Sequence, residues 1–215
     1  MRWTMSIAVF LTLLPAAAGQ AAHLPVAQYA QLRRVPEVSA DRAASHSAAY
    51  LRAERKLNEI TENGRLAQPQ AETTVLPTEE IDAYLAEGGV ALPDGVQRVH
   101  FSSVPGVVTA AARIDFDRLL ASRKINNPLM AALFTGVHEV SVETRASGSG
   151  GMGLASVERV AIDGVNVPRM AMQYLVDYYL RPKYGPSIGL DIRFALPAHI
   201  DTVRVGNNEV ALTQR

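Results

Sequence analysis

One segment near the end of the chain constrains the fold more than any other, and it reads PRMAMQYLVDYYL over 168–180. It predicts a helix whose polar side chains, at Arg169, Gln173, Asp177 and then Arg181, are four residues apart and so share one narrow stripe. The rest of the circumference is apolar, which requires cover nearly all round. At ~1.5 Å per residue the helix spans about 20 Å, too short to cross a bilayer of ~30 Å. Protein, with or without an apolar ligand, must therefore cover it.

The first residues predict a cleavable export signal over 1–21. Arg2 is followed by an apolar run from Ile7 to Leu14, then by Pro15 and small residues, with cleavage expected after Ala18 or Ala21. The run is too short to be retained as a membrane span, so we expect no integral span in the mature chain. The chain has no cysteine, which excludes disulfides, cysteine metal sites and a lipid-modified cysteine. This combination favours a periplasmic or secreted bacterial protein.

Charge excludes a further class of function. The chain has 21 Lys and Arg against 21 Asp and Glu, and it contains no basic cluster. A nucleic-acid partner is therefore not expected, and neither is a polybasic membrane patch.

Residues 22–74 predict a leader, a peripheral helix and a linker. An aperiodic stretch with Pro25 and Pro36 precedes Ser39, which we expect to cap a helix over 40–62. Its thin apolar face comprises Tyr50, Ala53, Leu57 and Ile60, and Asn63-Gly64 provides a stop. The polar stretch 66–75 indicates a linker to a domain over 75–215. Thr78 is then expected to cap a short acidic helix.

Alternating patterns over 75–215 predict an antiparallel sheet with one buried face. The expected buried residues follow strand by strand: Val99 and Phe101; Val108, Ala110, Ala112, Ile114 and Phe116; His138, Val140 and Val142; Val157, Val160 and Ile162; Ile188, Leu190, Ile192, Phe194 and Leu196; Val203 and Val205; Val210 and Leu212. Turns are predicted at 105–106, 147–153 and 163–164. Asp117 is expected to cap a helical turn, and 127–136 to form a helix with Phe134 facing inwards.

The motifs with known chemistry are incomplete. Residues 148–153 match G-x-G-x-x-G, but a strand rather than a helix is predicted to follow, so we interpret them as a turn. His138-Glu139 begins H-E-x-x-H, yet Val142 occupies the second histidine position. No serine lies in G-x-S-x-G. We therefore predict no catalytic residue, metal site or cofactor.

Four sequence stretches carry a resemblance to a family. Residues 76–85 (LPTEEIDAYL), 113–117 (RIDFD), 162–168 (IDGV-x-VP) and 196–200 (LP-x-x-I) make the region 75–215 similar to an uncharacterised family of exported bacterial proteins. More loosely, the order of long hairpins, an Asp-Gly turn and an apolar helix resembles tubular lipid-binding (TULIP, BPI-like) envelope proteins. That likeness implies a long twisted sheet wrapped round a helix, with lipid held in the groove.

Together these observations predict an α+β fold, with a curved antiparallel sheet of about seven strands around a buried helix and a peripheral N-terminal helix. The expected function is non-enzymatic binding or transport of a lipid-like molecule in a groove between sheet and helix. The alternatives are an envelope interaction protein with a solid core and an unrecognised hydrolase. The candidate ligand-binding residues are Phe101, Phe116, Phe134, Met170, Met172, Tyr174, Tyr178 and Phe194.

Overall fold

The computed structural model describes residues 46–120, 128 and 134–215. The predicted signal segment lies outside these residues, as does most of the helix predicted over 127–136. The described helices are α1 (Ala48–Asn63), α2 (Thr78–Ala86), α3 (Phe116–Leu119), α4 (Arg169–Leu175), a π-helical turn (Val176–Leu180) and α5 (Arg181–Tyr184). The described strands are β1 (Glu72–Pro77), β2 (Val96–Val104), β3 (Val107–Asp115), β4 (Val137–Ser149), β5 (Met152–Ile162), β6 (Val165–Asn166), β7 (Asp191–Ala195), β8 (Ile200–Val205) and β9 (Glu209–Gln214).

All nine described strands belong to one open antiparallel sheet, which confirms the predicted α+β class. Along one path the order is β1-β9-β8-β4-β3-β2, while β5 pairs with the other edge of β4 and carries β6 and β7. The long strand β4 therefore joins the two halves. It pairs with β3 along 137–145 and meets β8 at Gly148, beyond the end of β3.

The sheet curves strongly between β2 and β7. These strands are four pairings apart, which would separate them by about 19 Å in a flat sheet at ~4.8 Å per strand. Phe101 of β2 and Phe194 of β7 nevertheless line one common groove. Two register shifts, one in β2 between Gln97 and His100 and one opposite Glu143, add the local bending that bulges produce.

The alternation predicted for the central strands is confirmed. Val99, Phe101, Val108, Ala112 and Ile114 are buried, as are Val140 and Val142 in β4. The intervening positions, such as Arg98, His100 and Arg113, are exposed. The period of two in the sequence is thus the period of a sheet with one covered face. This face is called the concave face below.

Several boundaries near the N-terminal part differ from the prediction. Residues 72–75, interpreted as linker, belong to β1 and pair with β9 from Glu72↔Gln214 to Pro77↔Glu209. The Ser47 hydroxyl caps α1 by accepting from the Tyr50 N–H at 3.1 Å, so the helix begins later than the predicted cap at Ser39. Thr78 is the first residue of α2, and Pro77 precedes it without a side-chain cap. The predicted buried face of α1 and its end at Asn63 are confirmed.

Two of the predicted turns differ in size or in capping residue. The glycine-rich turn shrinks to Gly150-Gly151, both with positive φ, so β4 and β5 extend further than expected. Asp115, rather than Asp117, caps α3 by accepting from the Arg118 N–H. Asp117 instead accepts from the Gly136 N–H at 3.2 Å. The predicted tight turn at Asp163-Gly164 is confirmed, with φ of 48° and 79°.

The central helix, defined here as 169–184, begins one residue after Pro168 and passes through α4, the π-helical turn and α5. Only one face is covered, by the concave face of the sheet: Ala171, Met172, Val176, Tyr179 and Leu180 are buried. Met170 is 84% exposed and Tyr178 60% exposed, so the expectation of cover nearly all round is wrong. The helix lies across the open side of the curved sheet. Among the described residues, no further layer covers the outer face of the helix.

The polar stripe of the central helix ties it to neighbouring segments. Arg169 donates to the Val157 carbonyl at 3.2 Å and pairs with Asp191, at the start of β7. Arg181 pairs with Asp177 and donates to the Ile188 carbonyl at 3.2 Å. Both ends of the helix are thereby fastened to β5 or to the segment that leads into β7.

Candidate functional site

The concave face carries an apolar groove, called the sheet groove, between β2–β5 and the segment that contains β7. Counting the part open to solvent, it encloses about 820 Å³. Among the described residues that line it, none is charged, and only Thr144 and Ser147 carry a hydroxyl. Its lining residues are Phe101, Val108, Ala110, Ala112, Ile114, Val140, Val142, Thr144, Ala146, Ser147, Leu154, Ala155, Val157, Gly189, Leu190, Ile192, Phe194, Leu196 and Val203.

Small residues on the concave face create the space. Ala110 and Ala112 of β3 lie beside Val142 and Val140 of β4, and Ala146 pairs with Ala155 of β5. An alanine side chain ends at Cβ, so at these positions the side chains extend only a short distance from the sheet backbone. Larger side chains there would fill the groove, because protein interiors are otherwise close-packed.

Two glycines let the far wall of the groove rest on the sheet backbone. Gly148 and Gly153 form a cross-strand pair. A Cβ at Gly153 would lie 2.4 Å from the Phe194 ring, and one at Gly148 would lie 2.9 Å from the Leu196 side chain. Both distances are shorter than carbon atoms tolerate, so a larger residue at either position would force the Phe194 ring or the Leu196 side chain to move.

A second apolar space, called the helix groove, lies between the same sheet face and the central helix. It encloses about 670 Å³, again counting space open to solvent, and every described residue that lines it is apolar. Its lining residues are Ile114, Phe116, Leu119, Leu120, Phe134, Val140, Val142, Val160, Ile162, Val167, Met172, Leu175, Val176, Leu180 and Leu190. Phe116 and Phe134 meet edge to face, with ring centroids 5.4 Å apart.

The structure divides the predicted site residues into three groups. Phe101 and Phe194 line the sheet groove, whereas Phe116, Phe134 and Met172 line the helix groove. Met170, Tyr174 and Tyr178 are not among the residues that line either groove. They are four residues apart in the sequence; Met170 and Tyr178 are largely exposed, whereas Tyr174 is partly buried and packs against the main core. The rings of Tyr174 and Tyr178 stack with centroids 4.5 Å apart. Their part in ligand binding stays a prediction.

Sequence reasoning missed most of the groove floor and its far wall. From the sequence, Ala110 and Ala112 are predicted only to lie on a buried strand face, and Ala146 has no predicted role. The predicted ligand-binding residues are mostly aromatic. The signal that could have found the floor is the run of small residues at alternating positions of adjacent strands. Leu190 could not be found in this way because residues 188–190 were predicted as strand and lie outside β7.

His138 lies at the helix-groove end of β4. Its contacts with Asp163 and Thr135, called the His138 clamp, connect three segments of the chain. Its Nδ1 is 2.6 Å from Asp163 Oδ2 and its Nε2 is 2.6 Å from the Thr135 carbonyl. Both neighbours are acceptors, so both ring nitrogens donate only when the imidazole is protonated. The hydrogen bond to Asp163, followed by that to Thr135, raises the pKa of His138. The same hydrogen bond lowers the pKa of Asp163, whose other oxygen accepts from the Glu139 N–H at 2.9 Å.

This geometry joins three segments of the chain. The Asp163-Gly164 turn, the start of β4 and Thr135 are held together through one imidazole. While the imidazole is protonated, both of its nitrogens donate to these acceptors, and His138 then has no lone pair to offer a substrate. Its role in the structure is therefore to hold the turn that leads into the central helix.

Residues 148–153, which match the dinucleotide fingerprint, form a hairpin. Strand β5 follows Gly151 directly, so no helix N-terminus faces these glycines. The interpretation of this stretch as a turn is confirmed, although the turn itself comprises only two residues.

Comparison with known proteins adds no relative to this description. No family model, no curated protein and no solved structure matches the chain. Within the described residues, no helix is both long enough and apolar enough to cross a membrane. The fold and site thus define an α+β protein with an open, curved antiparallel sheet and two adjoining apolar grooves.

Proposed function

We propose that this protein is an exported bacterial envelope protein that binds or carries an apolar, lipid-like ligand in the sheet groove. The observation that carries the proposal is a groove lined almost entirely by hydrocarbon on the inner face of a curved sheet. Ligand sites in proteins are typically concave and mostly apolar. The sheet groove has both features.

The energetics require a groove that exists before the ligand binds. Burial of an acyl chain stabilises a complex by about 0.8 kcal/mol per methylene. Association costs ~4–15 kcal/mol in translational and rotational freedom and ordering. A protein that must first open its core would add the cost of lost packing. The alanine floor reduces that cost, since the small side chains of Ala110, Ala112 and Ala146 leave space on the concave face without any loss of packing.

Filling the groove tests this proposal. Ala110→Phe places a ring in the sheet groove, whereas Ala111→Phe places the same ring on the opposite face of β3. We expect the purified full chain to bind a fluorescent fatty acid, Ala111→Phe to bind it equally well, and Ala110→Phe to lose binding. Lipids extracted from the purified protein and identified by mass spectrometry should decrease in the same order. Equal binding by both variants, or no binding by the wild type, would contradict the proposal.

One observation favours a second candidate function, an envelope protein that acts through a protein partner. Met170 is 84% exposed and Val165, just before the central helix, is 65% exposed. Exposed apolar residues that lie together mark interaction surfaces more often than chance. Under this alternative Met170→Glu would abolish capture of a cross-linked envelope partner and leave fatty-acid binding unchanged.

A further inference from the structure

The segment between the central helix and β7 crosses the concave face and is held from both sides. The Leu190 carbonyl accepts from the Val157 N–H of β5 at 2.7 Å. Two residues earlier, the Ile188 carbonyl accepts from Arg181 Nε at 3.2 Å. The Leu190 side chain is only 5% exposed. Its position is therefore set by backbone hydrogen bonds as well as by packing.

Leu190 is part of the wall of both grooves. Four residues line the sheet groove and the helix groove alike, and they are Ile114, Val140, Val142 and Leu190. The first three belong to β3 and β4 and form a continuous floor. Leu190 alone among the four comes from outside the sheet. Its side chain therefore borders both apolar spaces from the side opposite their common floor.

Polarity along β4 gives the groove a direction. Val140 and Val142 lie at the Leu190 end, and Thr144 comes next on the same face of β4. The described residues that line the helix groove are all apolar, and a polar group left there without a hydrogen bond would lose its hydration. A ligand with one polar end should therefore place that end beyond Thr144 and its hydrocarbon tail towards Leu190. At ~3.4 Å per residue, the floor from Val142 to Ala146 is about 14 Å long.

We propose that Leu190 is the residue that determines ligand length, because it confines a single acyl chain to the sheet groove and closes the helix groove to it. This inference rests on the proposed function and names its ligand class more narrowly, as a straight acyl chain with one polar end. Shortening Leu190 would join the two grooves over the floor formed by Ile114, Val140 and Val142.

The test is a chain-length series measured on the full-length protein. Saturated fatty acids from octanoic to octadecanoic acid are titrated against a bound fluorescent fatty acid. For the wild type, affinity should rise about fourfold for each added methylene until the tail reaches Leu190, and then stop rising or fall. For Leu190→Ala, the rise should continue to chains at least two methylenes longer. Leu190→Val, the smaller truncation, should shift the optimum in the same direction by less.

Leu180→Ala is the matched control. Leu180 is 6% exposed, close to the value for Leu190, and it lines the helix groove alone. Its truncation enlarges that groove without opening the partition, so the optimum chain length should equal that of the wild type. Thermal melts of all variants identify the temperature range in which each remains folded, since truncation of a buried leucine also destabilises.

The outcomes separate the two proposals. If the wild type binds no fatty acid of any length, the proposed function fails and this inference fails with it. If the wild type binds, but both Leu190 variants keep its optimum chain length, only the role of Leu190 is overturned. An equal shift in Leu180→Ala would also overturn it, because the effect would then come from looser packing and not from the partition.

Discussion

Two regions of this molecule bury apolar residues against the same sheet by opposite means. The first region is the smaller of the two hydrophobic cores, called the second core, where α1 closes over β8 and β9. It comprises Ile60, Ile200, Val203 and Val210. The polar groups there are paired: the Gln214 side chain, 1% exposed, donates to the carbonyls of Ile60 at 2.8 Å and Ala198 at 2.6 Å. Its Oε1 accepts from Asn63 Nδ2 at 3.0 Å.

The sheet groove shows the contrasting arrangement. It has almost no polar group to satisfy, its floor is built from alanines, and its wall at Phe194 and Leu196 is only partly covered. Hydrogen bonds fix the geometry of the second core. The sheet groove exists because the alanine side chains of its floor are small. We therefore expect stability to depend chiefly on the second core and ligand binding on the sheet groove.

The largest expected effect comes from Gln214→Ala in the second core. It removes three hydrogen bonds from a buried site, and each contributes ~0.5–1.5 kcal/mol. The Ile60 carbonyl still accepts from the Gly64 N–H at 3.0 Å, and Asn63 Nδ2 still donates to the Gln70 carbonyl at 2.9 Å. We expect a loss of about 3 kcal/mol in the free energy of unfolding, measured by urea denaturation. Thr213→Ala, which removes only a hydroxyl contact to Thr73 at 2.9 Å, should cost less than ~1 kcal/mol. Similar losses in the two variants would mean that the network does not set the stability of this region.

A smaller effect is expected at the contact between α1 and α2. The Glu80 carboxylate, 5% exposed, accepts from Arg52 Nε at 2.9 Å and from Lys56 Nζ at 2.7 Å. Charge-assisted hydrogen bonds of this kind contribute ~1.5–3 kcal/mol, so Glu80→Gln should cost about 2 kcal/mol at neutral pH. Glu79→Gln, at the exposed neighbouring position, is the control.

The same carboxylate gives a pH dependence with a definite sign. Burial alone would raise the pKa of Glu80, but hydrogen bonds from Lys56 and Arg52 outweigh it and lower the pKa. Its contribution is therefore present above the ordinary pKa of a glutamate and is lost as the pH falls through the lowered value. The stability difference between wild type and Glu80→Gln should disappear in acid. A difference that persists unchanged would contradict this linkage.

The groove wall should respond less to truncation than a core does. Phe194→Ala removes a partly covered ring, so we expect a cost of about 1 kcal/mol, below the ~3–5 kcal/mol of a core phenylalanine. Fatty-acid binding should nevertheless fall at least tenfold, because the ring forms one wall of the sheet groove. Phe101→Ala, on the opposite wall and 4% exposed, should show the larger loss of stability. A core-sized loss in Phe194→Ala with unchanged binding would remove the distinction between the two regions.

The smallest expected effect concerns His138. Because its pKa is raised, its contribution is fully present below the ordinary pKa of histidine, near 6.5, and is lost as the pH rises through the raised value. The melting temperature of the wild type should therefore fall between about pH 6 and 8 relative to that of His138→Gln. Asp163→Asn should weaken the same pH dependence, since it removes the negative charge that favours the protonated imidazole. A pH profile shared by all three proteins would exclude the clamp.

What the sequence alone determined is local. The alternation of Val108, Ala110, Ala112 and Ile114 specifies a strand with one covered face, because side chains alternate along any strand. Asp163-Gly164 specifies a tight turn because its two positive φ angles suit these residue types. The buried face of α1 likewise follows from helical spacing. Among the candidate ligand-binding residues, Phe101, Phe116, Phe134, Met172 and Phe194 line apolar grooves, while their role in binding stays a prediction. Export and lipid binding stay predictions.

What only the tertiary structure decided depends on partners distant in sequence. Residues 72–75 are polar and aperiodic, and they become strand because β9 offers them an unpaired edge. Met170 and Tyr178 are as apolar as Met172, but the open side of the curved sheet covers one helix face and leaves theirs exposed. Leu190 acquires its place between two grooves from hydrogen bonds made by Val157 and from the curvature that brings β2 and β7 together. A sequence pattern reports which face of an element is apolar, whereas the packing of all elements determines what meets that face.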